Sequence, residues 1–196
     1  MKIKISYDRI SRFYDGFFFG VDWFVSKRRK EVLRQAKGVI LKVGVGSGSS
    51  FKDYPLGKQI IAVDASREML RLANKKNMVY GGNIELYQAD AQNLPFKDET
   101  FDTIFTSMVF CTVRNPIRGL QELHRVLKKG GQLLMIEHVK SGNKVVGYMM
   151  DKINPLIKRF DNINRETENN LELAGFNVRL EKDLFFDVVK YLVASG

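Results

Sequence analysis

The stretch Val39-Ile-Leu-Lys-Val-Gly-Val-Gly-Ser-Gly48 decides the fold class of this chain. Its first half is apolar enough to form a buried strand, and three glycines then alternate with other residues in a G-x-G-x-G loop. Glycine adopts backbone angles that other residues avoid and lets a ligand approach the backbone closely. Because the start of a following helix would add unpaired N–H groups, the segment predicts a site for a nucleotide-like ligand at the end of a strand.

Apolar runs of strand length alternate with amphipathic segments over the rest of the chain. The pattern predicts strands at 39–45, 59–64, 84–88, 103–107, 132–138, 177–181 and 188–193, and helices at 66–77, 116–128 and about 166–173. Strands that alternate with helices favour a mostly parallel sheet. The last two strands are separated only by a short break around Lys182 and Asp183, which cannot hold a crossover helix, so they should be antiparallel. The fold class is therefore α/β, with seven strands, an antiparallel final strand and helices on both faces of the sheet.

Two helix ends can be predicted from local chemistry. The hydroxyl of Ser66 precedes a helical run and can accept a hydrogen bond from its first turn. The sequence Lys128-Lys129-Gly130-Gly131 places cations and then glycine where a helix is expected to end.

Two acidic residues follow the second and third predicted strands. Asp64 ends the second strand, where a carboxylate can accept hydrogen bonds from the two hydroxyls of a ribose, and a plain helix N-cap is the alternative. Asp90 follows the third strand, where it can accept from an adenine amino group or serve as a turn residue. The dinucleotide fingerprint G-x-G-x-x-G/A would need glycine or alanine at Ser49, so the spacing disfavours NAD, which stays open as an alternative.

Composition limits the other classes of protein. The chain has 196 residues with one Cys and two His, so an internal disulfide, a thiolate cage and a site of three histidines are excluded, and no metal is predicted. Cys111 lies among apolar residues and is expected to be buried. No run reaches the ~20 apolar residues of a membrane span, and the first residues lack the pattern of a signal peptide. We therefore expect a cytoplasmic protein that touches the membrane surface.

The order of these features resembles the class I S-adenosylmethionine-dependent methyltransferases, which have a glycine loop after the first strand, an acid after the second and Asp-Ala after the third. Phe101–Ser107 is similar to the fourth strand of that family, and Leu120–Leu134 is similar to its next helix and the start of its fifth strand. Tyr7–Asp15 resembles the opening of ubiquinone/menaquinone-type methyltransferases and of bacterial phospholipid N-methyltransferases. The resemblance covers nearly the whole chain and implies a Rossmann-like sheet with S-adenosylmethionine as the cofactor.

The resemblance also implies which residues hold the cofactor. The predicted set is Gly44, Gly46, Ser47, Gly48, Asp64, Ala65, Met69, Asp90, Ala91 and Ser107. Within it the glycines would wrap the methionine part, Asp64 would hold the ribose, and Asp90 with Ala91 would face the adenine. Ser107, at the end of strand four, would lie near the sulfonium.

Three further residues are candidates for catalysis. Tyr7 and Tyr14 would belong to a lid over the cofactor. His138 ends strand five, where the catalytic residues of α/β folds gather, and a hydrogen-bonded structural role is its alternative. The neighbouring Glu137 has the same two readings.

One residue departs from the pattern of that family. The family usually has Glu or Asp two residues before the first glycine, where this chain has Lys42. That carboxylate normally helps to receive the cationic amino end of the cofactor, so a lysine would place like charge near like charge. Three outcomes follow: Lys42 turns away and another acid serves, the affinity for the cofactor is reduced, or the chain is an altered form.

Positive charge is concentrated near the N-terminus of a chain whose net charge is +10. Residues 1–35 are predicted to form an amphipathic helical segment that acts as a lid and membrane contact, ahead of a methyltransferase domain over 36–196. Aromatic residues between Phe13 and Phe24 precede the cations Lys27–Lys30, a composition typical of an interfacial membrane anchor. The alternative is that these aromatic residues pack in the core.

The stretch from Gly142 to Arg165 offers a second apolar face with lysines around it. Together with the N-terminal segment it predicts an amphiphilic acceptor met at an anionic membrane surface, and the phospholipid phosphatidylethanolamine is the first choice. A quinone precursor, a small lipophilic thiol and a non-catalytic membrane-binding protein are the alternatives. Nucleic acid is disfavoured as a substrate, because the Asn/Asp-Pro-Pro-Tyr/Phe signal of nucleic-acid amine methyltransferases is absent after strand four.

Overall fold

The computed structural model describes residues 19–81, 83–157, 162, 164–185 and 188–196. The helices are α1 (Phe19–Leu33), α2 (Arg67–Val79), α3 (Pro116–Val126), α4 (Lys144–Ile157) and α5 (Thr167–Leu173), with a short 3-10 helix at Ser49–Asp53. The strands are β1 (Ile40–Val43), β2 (Ile60–Asp64), β3 (Ile84–Gln88), β4 (Phe101–Ser107), β5 (Leu127–His138), β6 (Asn177–Phe185) and β7 (Val189–Ser195).

The strands form one sheet in the order β3-β2-β1-β4-β5-β7-β6. Strands β1 to β5 pair in parallel, whereas β7 pairs antiparallel with both β5 and β6. One face packs against α3 through Leu120 and Leu123, and the other packs against α1 through Val25 and Val32. The predicted α/β fold, a Rossmann-like and mostly parallel seven-stranded sheet with an antiparallel end, is confirmed.

The predicted cap of α2 is also confirmed. The Ser66 hydroxyl accepts a hydrogen bond from the backbone N–H of Met69 at 3.2 Å. Met69 and Ala73 then turn one side of α2 into the core, and Cys111 is buried as expected.

Two local predictions were wrong. The cations Lys128 and Lys129 lie in β5 rather than at a helix end, because Leu127 is already extended and pairs with Phe101 of β4, whereas Gly130 does have the positive φ, 74°, of a glycine in a turn. The expected break at Lys182 and Asp183 falls inside β6, since both residues pair with β7 and the strand continues to Phe185. At Lys182 and Asp183 the pairing with the neighbouring strand overrides the local sequence signal.

Helix α4 was not predicted as a helix. Its first turn is capped by Asn143, whose side-chain oxygen accepts from the backbone N–H groups of Val145 and Val146 at 3.0 and 3.2 Å. In the described part of the chain, no helix is both long and apolar enough to cross a membrane.

Candidate functional site

A cavity of about 1210 Å³ opens at the carboxyl ends of the central parallel strands. Strand β1 has β2 on one side and β4 on the other, so the order of the strands reverses at β1. The cavity lies at this point, where ligands of such sheets usually bind. All ten predicted cofactor residues line it, and so does the candidate base His138. The candidate catalytic residues Tyr7 and Tyr14 lie outside the described residues.

The glycine loop forms the wall of the cavity next to β1. Gly44, Gly46 and Gly48 all have positive φ angles, of 64°, 58° and 78°. A side chain at Gly44 would come within 2.5 Å of Val109, and one at Gly48 within 2.7 Å of Phe51. Nothing lies within 4 Å of the position that a Cβ of Gly46 would take. The loop therefore packs tightly at its two ends and leaves its middle open to a ligand.

Asp64 holds this loop in place from the end of β2. One carboxylate oxygen accepts from the backbone N–H of Gly46 at 2.8 Å, and the other accepts from the backbone N–H of Ser66 at 2.9 Å. A carboxylate has about four acceptor positions, so these two bonds leave room for the hydroxyls of a ribose. The side chain is half-buried and lines the cavity.

The loop that carries Asp90 is fixed by a pair of charged residues on α3. The backbone N–H of Leu94 donates to Glu122 at 2.8 Å, and Arg125 donates to the carbonyl oxygens of Phe96 and Leu94 at 2.8 and 3.1 Å. The hydrogen bond from Arg125 also holds the pKa of Glu122 below its usual range. Glu122 and Arg125 thus position the part of the site predicted to face the adenine.

Strand β4 ends in a strained residue beside the cavity. Met108 has a φ of 55°, and its backbone N–H donates to the carbonyl oxygen of Ile136 at 2.8 Å. A left-handed conformation costs a non-glycine residue roughly 1–2 kcal/mol, and such strain concentrates at ligand sites. Met108 and the predicted sulfonium neighbour Ser107 both line the cavity.

Lys42 does not turn away into solvent. Its side chain is almost completely buried, its ammonium donates to the carbonyl oxygen of Val43 at 2.8 Å, and it lies 5.0 Å from the ring centre of Phe105. It lines the cavity together with the glycine loop. These contacts keep Lys42 beside the glycine loop, and the three outcomes expected for this residue stay predictions.

Glu137 is a structural anchor and is fully buried. Its carboxylate accepts hydrogen bonds from the Thr106 hydroxyl and from the backbone N–H groups of Val109 and Phe110, at 2.8 to 3.1 Å. Burial raises the pKa of Glu137, whereas these bonds and the positive charge of Lys42 act in the opposite direction. Glu137 thus holds the loop after β4 and does not itself line the cavity.

Arg29 is a site residue that the sequence did not reveal. It belongs to the cationic run Lys27–Lys30, yet it is almost completely buried, lines the cavity, and has its Nε 3.5 Å from a carboxylate oxygen of Asp53. The sequence signal that could have identified Arg29 is its spacing from Val25 and Val32. The three residues share one face of a helix, and the two valines are buried against the sheet.

The residues present fit S-adenosylmethionine. Carboxylates at the ends of β2 and β3 suit a ribose and an adenine, and the open backbone at Gly46 admits the methionine part. The volume exceeds the ~300–1,000 Å³ common for one small-molecule ligand, so it can also admit an acceptor.

Comparison with known proteins agrees with this fit. A family described as a methyltransferase domain matches residues 41–135. A phosphatidylethanolamine N-methyltransferase of Cereibacter sphaeroides is 36% identical over 139 residues, covering 67% of this chain and 68% of the relative. A thiol S-methyltransferase of Rattus norvegicus is 27% identical over 175 residues, covering 80% and 71%. The crystal structure of a candidate methyltransferase from Bacillus halodurans superposes with a TM-score of 0.68 at 26% identity, covering 80% and 71% of the two chains.

The matched region contains the glycine loop, both carboxylates and the anchoring residues of α3. Sequence relatives, fold and cavity chemistry therefore agree on the cofactor, S-adenosylmethionine. The chain belongs to the class I S-adenosylmethionine-dependent methyltransferases.

Proposed function

We propose that this methyltransferase methylates the headgroup amine of a phospholipid, with phosphatidylethanolamine as the substrate, at the surface of an anionic membrane. The observation that carries the proposal is an exposed apolar face on α4, a helix that hydrogen bonds connect with the wall of the cavity.

The exposed face of α4 consists of four large apolar side chains at successive spacings of three, one and four residues, which places them on one side of a helix. Their exposed fractions are 70% for Val145, 63% for Tyr148, 57% for Met149 and 46% for Ile153. The opposite side of the helix is buried through Gly147 and Met150, and Lys144 and Lys152 are exposed. An apolar helix face with lysines around it is the composition of a helix that lies in a membrane interface.

Hydrogen bonds connect α4 with the wall of the cavity. Helix α4 follows the carboxyl end of β5, the edge of the sheet at which the cavity opens. Asp151 accepts from the side chain of Asn164 at 2.5 Å, and the backbone N–H of Asn162 donates to the carbonyl oxygen of Cys111 at 2.9 Å. Cys111 lines the cavity, so a lipid held at α4 would have its headgroup close to the opening.

The charge of the cavity wall supports an acceptor that carries a phosphate. Among the described lining residues the charged side chains are two carboxylates, Asp64 and Asp90, and six cations, Arg29, Lys42, Lys52, Lys76, Arg114 and Arg118. Arg114 and Arg118 follow β4 in the chain, and Arg118 donates to the carbonyl oxygen of Gln92. Arginine and lysine are the side chains that bind phosphate by charge-assisted hydrogen bonds.

The chain would contribute mainly alignment and proton removal. When bound, S-adenosylmethionine supplies a methyl group on a positively charged sulfur that leaves as a neutral thioether. An amine attacks only through its lone pair, so a base must first take a proton from the ammonium form. His138 lines the cavity at the end of β5 and is the candidate base, while Ser107 and Met108 would position the acceptor opposite the methyl group, a proximity effect.

A small lipophilic thiol is the second candidate acceptor. The relative from Rattus norvegicus supports it, and a thiol would need the same proton removal by His138. The cationic wall gives such a neutral acceptor no additional binding, which is why the phospholipid is preferred.

The direct test is transfer of a labelled methyl group into a total lipid extract, with an alkyl thiol in a parallel reaction. We expect label in methylated products of phosphatidylethanolamine. Label that stays out of every lipid fraction contradicts the proposal, and label in the thiol alone selects the second candidate.

The membrane step can be tested with a matched pair of variants. Met149→Asp places a charge on the exposed face of α4 and should reduce co-sedimentation with anionic vesicles. Leu56→Asp places the same charge on an exposed apolar residue just before the amino end of β2, whereas the cavity opens at the carboxyl ends of the strands, and it should leave co-sedimentation unchanged. If the two variants co-sediment with the vesicles to the same extent, α4 is not the membrane contact.

A further inference from the structure

We infer that the end of the cavity beside β1 recognises the carboxylate of the cofactor's methionine part rather than its ammonium, with Lys42 as the residue that sets this preference. The inference concerns the cofactor side of the cavity and holds whichever acceptor is methylated.

Lys42 lies at the wall of the cavity that is formed by β1 and the glycine loop. It lies two residues before Gly44, on the strand that leads into the glycine loop, and its ammonium reaches the carbonyl oxygen of Val43 at the carboxyl end of β1. A ligand ammonium placed along this wall would approach a buried cation. Like charges repel far more strongly in a buried site than in water, so this wall disfavours the ammonium.

A second cation approaches the same wall from α1. Arg29 lines the cavity, and its positive charge adds to the effect of burial in lowering the pKa of Lys42, while the charges of Glu137 and Asp64 oppose both. The two side chains are therefore electrostatic neighbours, although they come from different elements. A carboxylate that binds beside them would be attracted by both.

The nearby carboxylates are already engaged in holding the protein together. Asp53 accepts from the Ser26 hydroxyl at 2.8 Å and lies opposite Arg29, and Glu137 accepts from three donors around the loop after β4. Neither of them lines the cavity. Asp64 does line it, but its carboxylate receives the N–H groups of Gly46 and Ser66 at the end of β2. The acid that would receive an ammonium is thus replaced by a base, and no other carboxylate among the described lining residues stands beside β1.

The experiment compares three nucleosides by calorimetry at pH 6, where Lys42 carries its charge, and the first result needs no variant. They are S-adenosylhomocysteine, its deaminated analogue, which keeps only the carboxylate, and its decarboxylated analogue, which keeps only the ammonium. We expect the unmodified protein to bind the deaminated analogue at least as tightly as S-adenosylhomocysteine. Its affinity for the decarboxylated analogue should be lower than that for S-adenosylhomocysteine by a factor of about ten or more, which corresponds to roughly 1.4 kcal/mol of binding free energy.

Variants of Lys42 then assign the preference to this side chain. Lys42→Met, which keeps the length of the chain without the charge, should bring the two analogues close to equal affinity. Lys42→Glu should reverse their order. Thermal unfolding of both variants checks that they are folded.

Two outcomes overturn the inference in distinguishable ways. If the decarboxylated analogue binds the unmodified protein as tightly as S-adenosylhomocysteine, the cofactor site stands but the carboxylate preference is wrong. If none of the three nucleosides binds, the cofactor site itself is wrong.

Discussion

The carboxylate of Asp64 accepts a hydrogen bond of 2.8 Å from the backbone N–H of Gly46, and this bond joins the end of β2 to the middle of the glycine loop. The same carboxylate accepts from Ser66 at the start of α2. One side chain therefore fixes two backbone segments of the cavity wall while it remains accessible to a ligand.

Asp64→Asn should weaken cofactor binding more than it weakens the fold. The amide has the size of the carboxylate but lacks its charge, and one acceptor oxygen becomes an NH₂ group that cannot receive an N–H. Hydrogen bonds to charged groups contribute about 1.5–3 kcal/mol, so we expect a loss of roughly 10- to 100-fold in affinity for S-adenosylhomocysteine by calorimetry. The control is Asp183→Asn, at an exposed position on β6, which should leave the affinity unchanged. Equal losses in both variants would contradict a role for Asp64 at the site.

Alanine at Gly46 and at Gly48 should have different effects. Both glycines have positive φ, so each substitution costs roughly 1–2 kcal/mol of folding free energy. At Gly48 the new methyl group would also meet Phe51 and the backbone of Ala73 at 2.7 and 3.0 Å, which adds about 1–3 kcal/mol of overpacking. At Gly46 the methyl group would enter open space along the cavity wall.

Chemical denaturation and calorimetry separate these two effects. Gly48→Ala should show the larger loss of unfolding free energy, and Gly46→Ala should show the larger loss of ligand affinity relative to its loss of stability. The reverse order would show that the middle of the loop does not face the ligand.

Glu122→Gln should destabilise the protein at neutral pH and much less in acid. The hydrogen bond from Arg125, with that from the backbone of Leu94, lowers the pKa of Glu122. A carboxyl with a lowered pKa stabilises the fold fully above its unfolded pKa near 4.3, and this contribution is lost as the pH falls through the lower folded pKa. We expect a loss of about 1–3 kcal/mol at pH 7 that shrinks below pH 4, measured by urea denaturation. Glu99→Gln, at an exposed carboxyl 3.5 Å from Lys129, is the control and should cost less than about 0.5 kcal/mol.

The affinity for S-adenosylhomocysteine should fall as the pH rises through about 7. Burial lowers the pKa of Lys42 to about 7, Arg29 acts in the same direction, and Glu137 and Asp64 oppose them. A protonated Lys42 attracts the ligand carboxylate and a deprotonated one does not, so binding favours the protonated form. Glu137, whose pKa burial raises to about 7, gains negative charge over the same range and weakens the binding of an anion further.

Calorimetry between pH 6 and 9 measures this dependence. A change of one unit in the pKa of Lys42 on binding corresponds to about tenfold in affinity. Lys42→Arg keeps its charge over the whole range, so only the contribution of Glu137 remains and the profile should be clearly shallower than that of the unmodified protein. A flat profile in the unmodified protein would contradict the titration of Lys42 at the site.

The sequence predicted the sheet well because local patterns determine its strands. The third strand, Ile84–Gln88, has the predicted bounds, and the apolar run before Gly44 is a buried strand. Helix α4 was missed because Gly147 and Pro155 interrupt the pattern of a helix, whereas the cap at Asn143 and the burial of Met150 hold it in the folded protein. These two contributions depend on the tertiary structure and leave little signal in the local sequence.

The charges behind the cavity wall were also difficult to predict. Arg29 is one of four adjacent cations in the sequence, and only the packing of α1 turns it inward. Glu137 anchors backbone N–H groups that lie 27 and 28 residues earlier in the chain. Contacts between residues this far apart are decided by the assembly of the sheet, which a linear pattern does not show.

The buried carboxylate of Asp53 connects α1 with the segment that follows the glycine loop. It belongs to the 3-10 helix directly after the glycine loop, and it contacts Ser26, Arg29 and Lys30 of α1. If these contacts change when a partner binds α1, that partner also changes the free energy of ligand binding in the cavity. Thermodynamic linkage then requires the partner's effect on ligand affinity to equal the ligand's effect on partner affinity. If a membrane surface that engages α1 strengthens cofactor binding by some factor, the cofactor strengthens attachment to that surface by the same factor, and the protein would leave the membrane more readily once its cavity is empty.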